Sequence, residues 1–100
     1  MILTEAEVFE RVASVLADAL ALNTQAITPE ASIMDDLNAE SIDLLDLRFR
    51  VERAFGIRIT AEDLAAAFQG ATDVSQFRAA FTVQALCEYI SFRLQRDGKH

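Results

Sequence analysis

Three segments of this chain begin in the same way. Thr4, Thr60 and Thr82 each follow an apolar residue and each have another apolar residue four positions on, giving the pairs Leu3 with Val8, Ile59 with Leu64 and Phe81 with Leu86. A threonine in that setting caps a helix: its hydroxyl takes up one of the backbone N–H groups that a helix start leaves unpaired, while the flanking pair packs as a staple. Glu7 and Asp63, three residues after their threonines, occupy the position that returns a bond to the cap. A chain that repeats this start and carries only three glycines and one proline among 100 residues is predicted to be all-α.

The apolar spacing agrees. Val8, Val12, Val15 and Ala19 recur at helical intervals, widened by Leu16 and Leu20, and define the first helix from Thr4 onward. Periodicity is then lost from Asn23 to Asn38 around Thr28-Pro29, which reads as a long ordered loop held by Ile27, Ile33 and Leu37. The second helix is expected from about Ser41 to Phe55, with Gly56 in a left-handed C-terminal position. A third, shorter helix opens at Thr60 and closes at Gly70, and Asp73 with Gln76 marks a further short turn carrying Val74, Phe77 and Phe81. The last helix starts at Thr82 and is expected to bury Val83, Leu86, Cys87, Ile90 and Leu94, leaving Arg96 to His100 frayed. No internal repeat or second domain is evident, so residues 1–100 read as one domain.

Composition narrows the class of function. At this length a domain buries roughly 60–70% of the surface its unfolded chain exposes, so no staple is required. The single cysteine, Cys87, excludes an internal disulfide, a CxxC pair and a cysteine-rich zinc site, and a reducing cytoplasmic setting is expected. Its place on an apolar face makes it a small core residue. The aromatic residues Phe68, Phe77, Phe81 and Phe92 are likewise expected in the core. No apolar run is long enough to span a bilayer, and the first residues are acidic where a secretory signal is basic. A formal charge of −7 repels phosphate backbones and anionic lipid, so nucleic acid and membrane are excluded as expected partners and basic protein surfaces favoured. The one histidine is His100, and no acid–base–nucleophile set can be assembled, so the chain is not expected to be an enzyme. The acidic cluster lacks the spacing and glycine of an EF-hand, and no metal is expected there.

The stretch Asp35-Asp36-Leu37-Asn38-Ala39-Glu40-Ser41-Ile42-Asp43-Leu44-Leu45-Asp46 sets one hydroxyl among five carboxylates at a helix start. Ser41 departs from the threonine pattern: Glu40 precedes it in place of an apolar residue, and Leu44 stands where a returning carboxylate is expected. A plain N-cap and an attachment point are both open readings. An anion joined to this hydroxyl would lie near unpaired N–H groups and the positive end of the helix dipole. The second helix also carries two apolar stripes at about 100° per residue. Leu44, Leu47, Val51, Ala54 and Phe55 form the expected core face, whereas Ile42, Leu45 and Phe49 form another roughly opposite, with charged residues between them. That second stripe is expected to face a partner.

The segment DDLNAESIDLLDLRFRVERAFGI resembles the signature of acyl carrier proteins, in which a Leu-Gly-Ala-Asp-Ser-Leu-like motif presents the serine that receives 4′-phosphopantetheine. Here the motif is Leu37-Asn38-Ala39-Glu40-Ser41-Ile42. The resemblance extends over about Thr4 to Leu94 in helix order. It implies a small four-helix bundle of the acyl-carrier type, with a long loop between helices one and two and an extra short helix before the last. It further implies that a phosphopantetheinyl transferase moves the arm from coenzyme A to Ser41, that acyl groups ride on its thiol as thioesters, and that Glu40, Ile42, Asp43, Leu45, Asp46 and Phe49 meet enzymes with basic docking patches. The carrier is expected to be a monomer serving fatty-acid, lipid or secondary-metabolite synthesis. Leu44, Leu47, Val51, Phe55 and the last helix would line a core able to take in an acyl chain.

Departures from the motif carry expectations of their own. Asn38 stands where glycine is usual, tolerable because Asn visits left-handed backbone more readily than other non-glycine residues. Glu40 keeps the charge of the usual Asp. After the acidic stretch come Arg48, Arg50, Arg53 and Arg58, with only Glu52 against them, so a dedicated enzyme set is expected over the general fatty-acid machinery. The readings from other classes are a non-catalytic helical adaptor with Ser41 as a plain cap, and a peptidyl or aryl carrier protein.

Overall fold

The computed structural model describes residues 3–60, 62, 63, 66 and 73–97. It is all-α: α1 spans Glu5–Leu20, α2 Ser41–Phe55, α3 Val74–Ala80 and α4 Val83–Arg96, with a short 3-10 turn at Thr24–Ala26. Residues 62, 63 and 66 are also helical. The long loop between α1 and α2 and the short α3 before α4 are as expected. Among the described residues no helix is long and apolar enough to cross a membrane.

The threonine caps form as their spacing requires. Thr4 Oγ1 accepts the Glu7 N–H at 3.1 Å and Glu7 returns the bond to the Thr4 N–H at 3.0 Å. Thr60 and Asp63 exchange the same pair at 3.1 and 3.0 Å, and Thr82 Oγ1 accepts the Ala85 N–H at 3.0 Å. The backbone N–H of each cap holds the Glu7 and Asp63 carboxyls below their ordinary range. Asp73 caps α3 through the Gln76 N–H at 2.8 Å. Gly56 ends α2 at φ 67°, where a left-handed residue lets its N–H reach the Glu52 carbonyl. Leu64, Phe68 and Gly70 lie outside the described residues, as do Gly98, Lys99 and His100.

α1 packs against both α2 and α4. Val8, Val12 and Leu16 meet Leu47, Val51 and Phe55 from α2 and Val83, Leu86, Ile90 and Leu94 from α4 in one buried cluster. Because α1 serves two neighbours, its buried stripe turns toward Ala13 and Ala17, whose small side chains allow close approach, and the expected Val15 and Ala19 are only partly buried. Two other expected core positions are exposed: Ala54 at the edge of its stripe, and Phe92, whose ring lies beneath the Arg96 guanidinium at 5.8 Å. Cys87 is buried as expected, and burial followed by the charge of Glu88 pushes its thiol up to about 11.

Arg93 is the core residue that patterning missed, since charge normally excludes a side chain from an interior. It is 4% exposed and sits three residues beyond Ile90, on the buried face of α4. Its guanidinium donates to the Tyr89 hydroxyl at 2.8 Å, Asp63 at 3.3 Å, Asp97 at 3.2 Å and the Arg58 carbonyl. These bonds tie α4 to the segment after α2, and the one to Asp97 reaches the residue that caps the C-terminal end of α4.

The long loop is part of the core. Ile27, Ile33 and Leu37 are buried, joined by Ala31 and Met34. Backbone bonds run from the Ile33 N–H to the Phe81 carbonyl at 3.0 Å, from Val83 to Ala31 at 3.0 Å and from Gln84 to Pro29 at 2.9 Å. An isolated antiparallel bridge pairs Ser32 with Thr82. The buried Ser32 hydroxyl donates to the Arg78 carbonyl at 2.7 Å and accepts the Asp35 N–H at 3.1 Å, so it is satisfied both as donor and as acceptor. Ile33→Ala should therefore lower stability as a helix-core truncation does, by about 2–5 kcal/mol, measured by urea denaturation. A change within ~0.5 kcal/mol would mean that the loop is only surface.

Candidate functional site

The loop delivers the chain to α2 through a short, tightly specified passage. Leu37 and Ala39 point inward and are buried, and their N–H groups donate to the carbonyls of Ser32 and Ile33, each at 3.1 Å. Asn38 between them takes φ 60°, the left-handed conformation expected where the motif has glycine. The backbone then turns extended at Glu40, with φ −96° and ψ 169°, before the helix begins.

Glu40, not Ser41, is the N-cap. The helix itself begins at Ser41 as expected, and the capping pattern that looked broken at Ser41 is present one residue earlier. Asp43, three residues after Glu40, accepts the Glu40 N–H at 2.8 Å, the return bond of a capping box. Ser41 is thus the first helical residue, and its hydroxyl is released from capping. It is exposed, and among the described residues nothing hydrogen-bonds it. Beside it lies an open cavity of about 500 Å³ lined by Met34, Asn38, Ala39, Glu40, Ser41 and Arg78. Although Glu40 lines this cavity, among the described residues no side chain accepts a hydrogen bond from the Ser41 hydroxyl to raise its nucleophilicity.

The second stripe of α2 faces outward. Ile42 is 73% exposed, Leu45 54% and Phe49 49%, an apolar strip running along the helix from Ser41. Asp43 and Asp46 flank it as expected, but Asp46 is already paired with Arg50 at 2.8 Å, and the Arg48 guanidinium lies 5.2 Å from the centre of the Phe49 ring. The basic half of α2 therefore neutralises part of the acidic half and covers one end of the strip.

On the inner side, α2, α3 and α4 enclose an apolar cavity of about 60 Å³, whose walls include Leu44, Leu47, Val51, Phe77, Phe81 and Leu86. Leu44 lies one helical turn from Ser41 and stands between the surface hydroxyl and this interior. Phe55, expected in this lining, is buried elsewhere in the core, and its place is taken by Phe77 and Phe81, whose rings stack with centroids 5.4 Å apart. Their adjacency to Leu44 depends on how the loop and α3 fold back, which no local pattern reports. Among the described residues no group of three or more His, Cys, Asp or Glu side chains is arranged to hold a metal.

A family model described as "Phosphopantetheine attachment site" matches residues 10–81. Among curated proteins, the chain is 36% identical over 61 residues to an acyl carrier protein of Thermosynechococcus vestitus, covering 61% of this chain and 75% of that one. It is 39% identical over 62 residues to an acyl carrier protein of Petrotoga mobilis, covering 62% and 73%. With the acyl carrier protein AcpXL of Brucella melitensis it shares 41% identity over 54 residues, covering 54% of this chain and 58% of that protein.

The left-handed residue at 38 offers a test of the passage into α2. Asn38→Ala should lower stability by about 1 kcal/mol, because a Cβ without a compensating amide is strained at that φ. Asn38→Gly should keep or raise the thermal midpoint in the same melting experiment. Equal loss in both variants would show that the amide group itself is what matters.

Proposed function

Since the chain belongs to the acyl carrier proteins, whose phosphopantetheine-attachment region it matches across residues 10–81, we propose that Ser41 is the residue that bears its 4′-phosphopantetheine arm. The observation that carries this reading is the hydroxyl itself: within the stretch resembling the family motif, it is exposed, unbonded and set at the first position of a helix. Being free of the capping role, it can be esterified without unpicking α2. That no side chain among the described residues hydrogen-bonds the hydroxyl fits a substrate, not a catalyst. In the transfer the Ser41 oxygen forms the phosphodiester by displacing the nucleotide half of coenzyme A, and its proton passes to a base held by the transferase.

The arm, when bound, supplies a thiol that holds an acyl group as a thioester. The chain's own residues then have two tasks. The strip of Ile42, Leu45 and Phe49, with Glu40, Asp43 and Asp46 around it, presents the loaded arm to the transferase and to acyl-loading and acyl-using enzymes. Apolar area at the centre with charge at the rim is the pattern from which docking draws affinity and orientation, respectively. The inner cavity behind Leu44 receives the near part of an acyl chain by parting Leu44 from Phe77 and Phe81. Because Arg50 neutralises Asp46, enzymes that rely on an unbroken acidic helix gain less here, and we assign this carrier to a dedicated enzyme set in fatty-acid, lipid or secondary-metabolite synthesis.

Coexpression with a broad-specificity phosphopantetheinyl transferase should raise the intact mass by one arm, and Ser41→Ala should abolish the gain while leaving the circular-dichroism spectrum unchanged. An unchanged wild-type mass would instead favour the adaptor reading. Phe49→Glu should reduce the kcat/KM for arm transfer about tenfold, as loss of a central docking residue does, with little change in melting temperature because the ring is half exposed. Unaltered transfer kinetics would remove the outer stripe from the docking surface.

A further inference from the structure

The cavity beside Ser41 takes one wall from a residue far along the chain. Arg78, on α3, lines it with Met34, Asn38, Ala39, Glu40 and Ser41, and is the one cation among those residues. Charge makes that position significant. Five carboxylates and no basic residue lie between Asp35 and Asp46. A phosphodiester is an anion at neutral pH, and one joined to Ser41 would stand within this acidic segment, where like charges repel it.

The guanidinium is held but not used up. Its Nε donates to Asp35 Oδ1 at 2.6 Å, and Nη2 makes a long contact of 3.4 Å with the Met34 carbonyl. Among the described residues Nη1 has no acceptor, and the side chain remains 37% exposed. The backbone of Arg78 is itself fixed, because its carbonyl accepts the buried Ser32 hydroxyl at 2.7 Å. An arginine offers five N–H donors in a planar fork suited to phosphate oxygens, and Asp35 occupies only one edge of it.

We propose that Arg78 is the phosphate-binding residue of the attachment site, its Nη groups taking the phosphodiester oxygens of the arm on Ser41 while Asp35 aims the fork. This rests on Ser41 being the attachment residue. Arg78 then performs two functions with one side chain. It closes the loop onto α3 through Asp35, and it offsets the acidic surroundings of the esterified serine. Glu40 and Asp43, which make no ion pair among the described residues, keep their negative charge toward a basic partner.

The test compares ¹⁵N-labelled wild-type protein before and after arm addition, with the product's mass recorded. Arm addition should shift the Arg78 Nε–Hε resonance and slow exchange of its Nη protons with water. The ³¹P resonance of the arm should move between low and high salt in wild type and in Arg78→Lys, but not in Arg78→Gln. Arg78→Gln should also lower kcat/KM for arm transfer about two- to fivefold, the range of a partly exposed ion pair. If the arm is present and the Arg78 resonances are superimposable with those of the unmodified protein, Arg78 is a loop clamp alone and the proposal is overturned. That comparison needs no variant to fold. If the mass does not change, the attachment reading fails and this proposal fails with it.

Discussion

Backbone pairing between residues 29–33 and residues 81–84 determines where α2 begins. The loop has no periodic pattern of its own, yet three of its carbonyl and amide groups bond across to the corner between α3 and α4, and Ile33 is wholly buried beneath them. Burial without those bonds would leave polar backbone groups unpaired in the core, at a cost of about 1–3 kcal/mol each. With them the loop becomes a rigid strap. From that strap the inward Leu37 and Ala39 and the left-handed Asn38 set the direction of Glu40, and the helix start follows. The exposure of Ser41 is thus a consequence of packing between segments far apart in the chain.

Much of this was legible because capping is local. Thr4, Thr60 and Thr82 lie next to every atom they bond, so spacing alone predicts the bonds that form. Asn38 could be read for the same reason, its backbone angle being set by its own side chain and its neighbours. The start of α2 at Ser41 was read correctly, but which residue caps it stayed open, because serine is a better N-cap than glutamate in general, whereas here Asp43 accepts the Glu40 N–H and Glu40 takes the cap. The outward stripe of Ile42, Leu45 and Phe49 was visible as a second angular cluster on one helix. What could not be read was whatever joins distant segments: Arg93 bonded to Asp63 and the Arg58 carbonyl, Phe77 and Phe81 facing Leu44, and Arg78 standing across from Ser41. Each depends on three-dimensional neighbours separated by tens of residues.

The two faces of α2 divide the work of a carrier. The inner face, with Leu47, Val51 and Phe55, anchors the helix to α1, so the outer face can be approached by other proteins without loosening the bundle. Arginines beyond the acidic stretch alter that outer face more than the sequence alone implies. Asp46 is taken by Arg50, and Phe49 has Arg48 over its ring, so the strip is negative near Ser41 and increasingly cationic along the helix. In the docking role proposed for this strip, the charge gradient would orient the partner while the apolar residues provide the adhesion.

Cys87 gives the fold one more property relevant to cargo. A carrier that holds acyl groups as thioesters runs the hazard that any other sulfur it contains will accept them by exchange. Here that sulfur is enclosed in α4, facing the core, and its proton is held to about pH 11, so at neutral pH it is a thiol and not the nucleophilic thiolate. Self-acylation is blocked by both geometry and acidity. The protein can contain a cysteine without becoming a sink for the intermediates it carries.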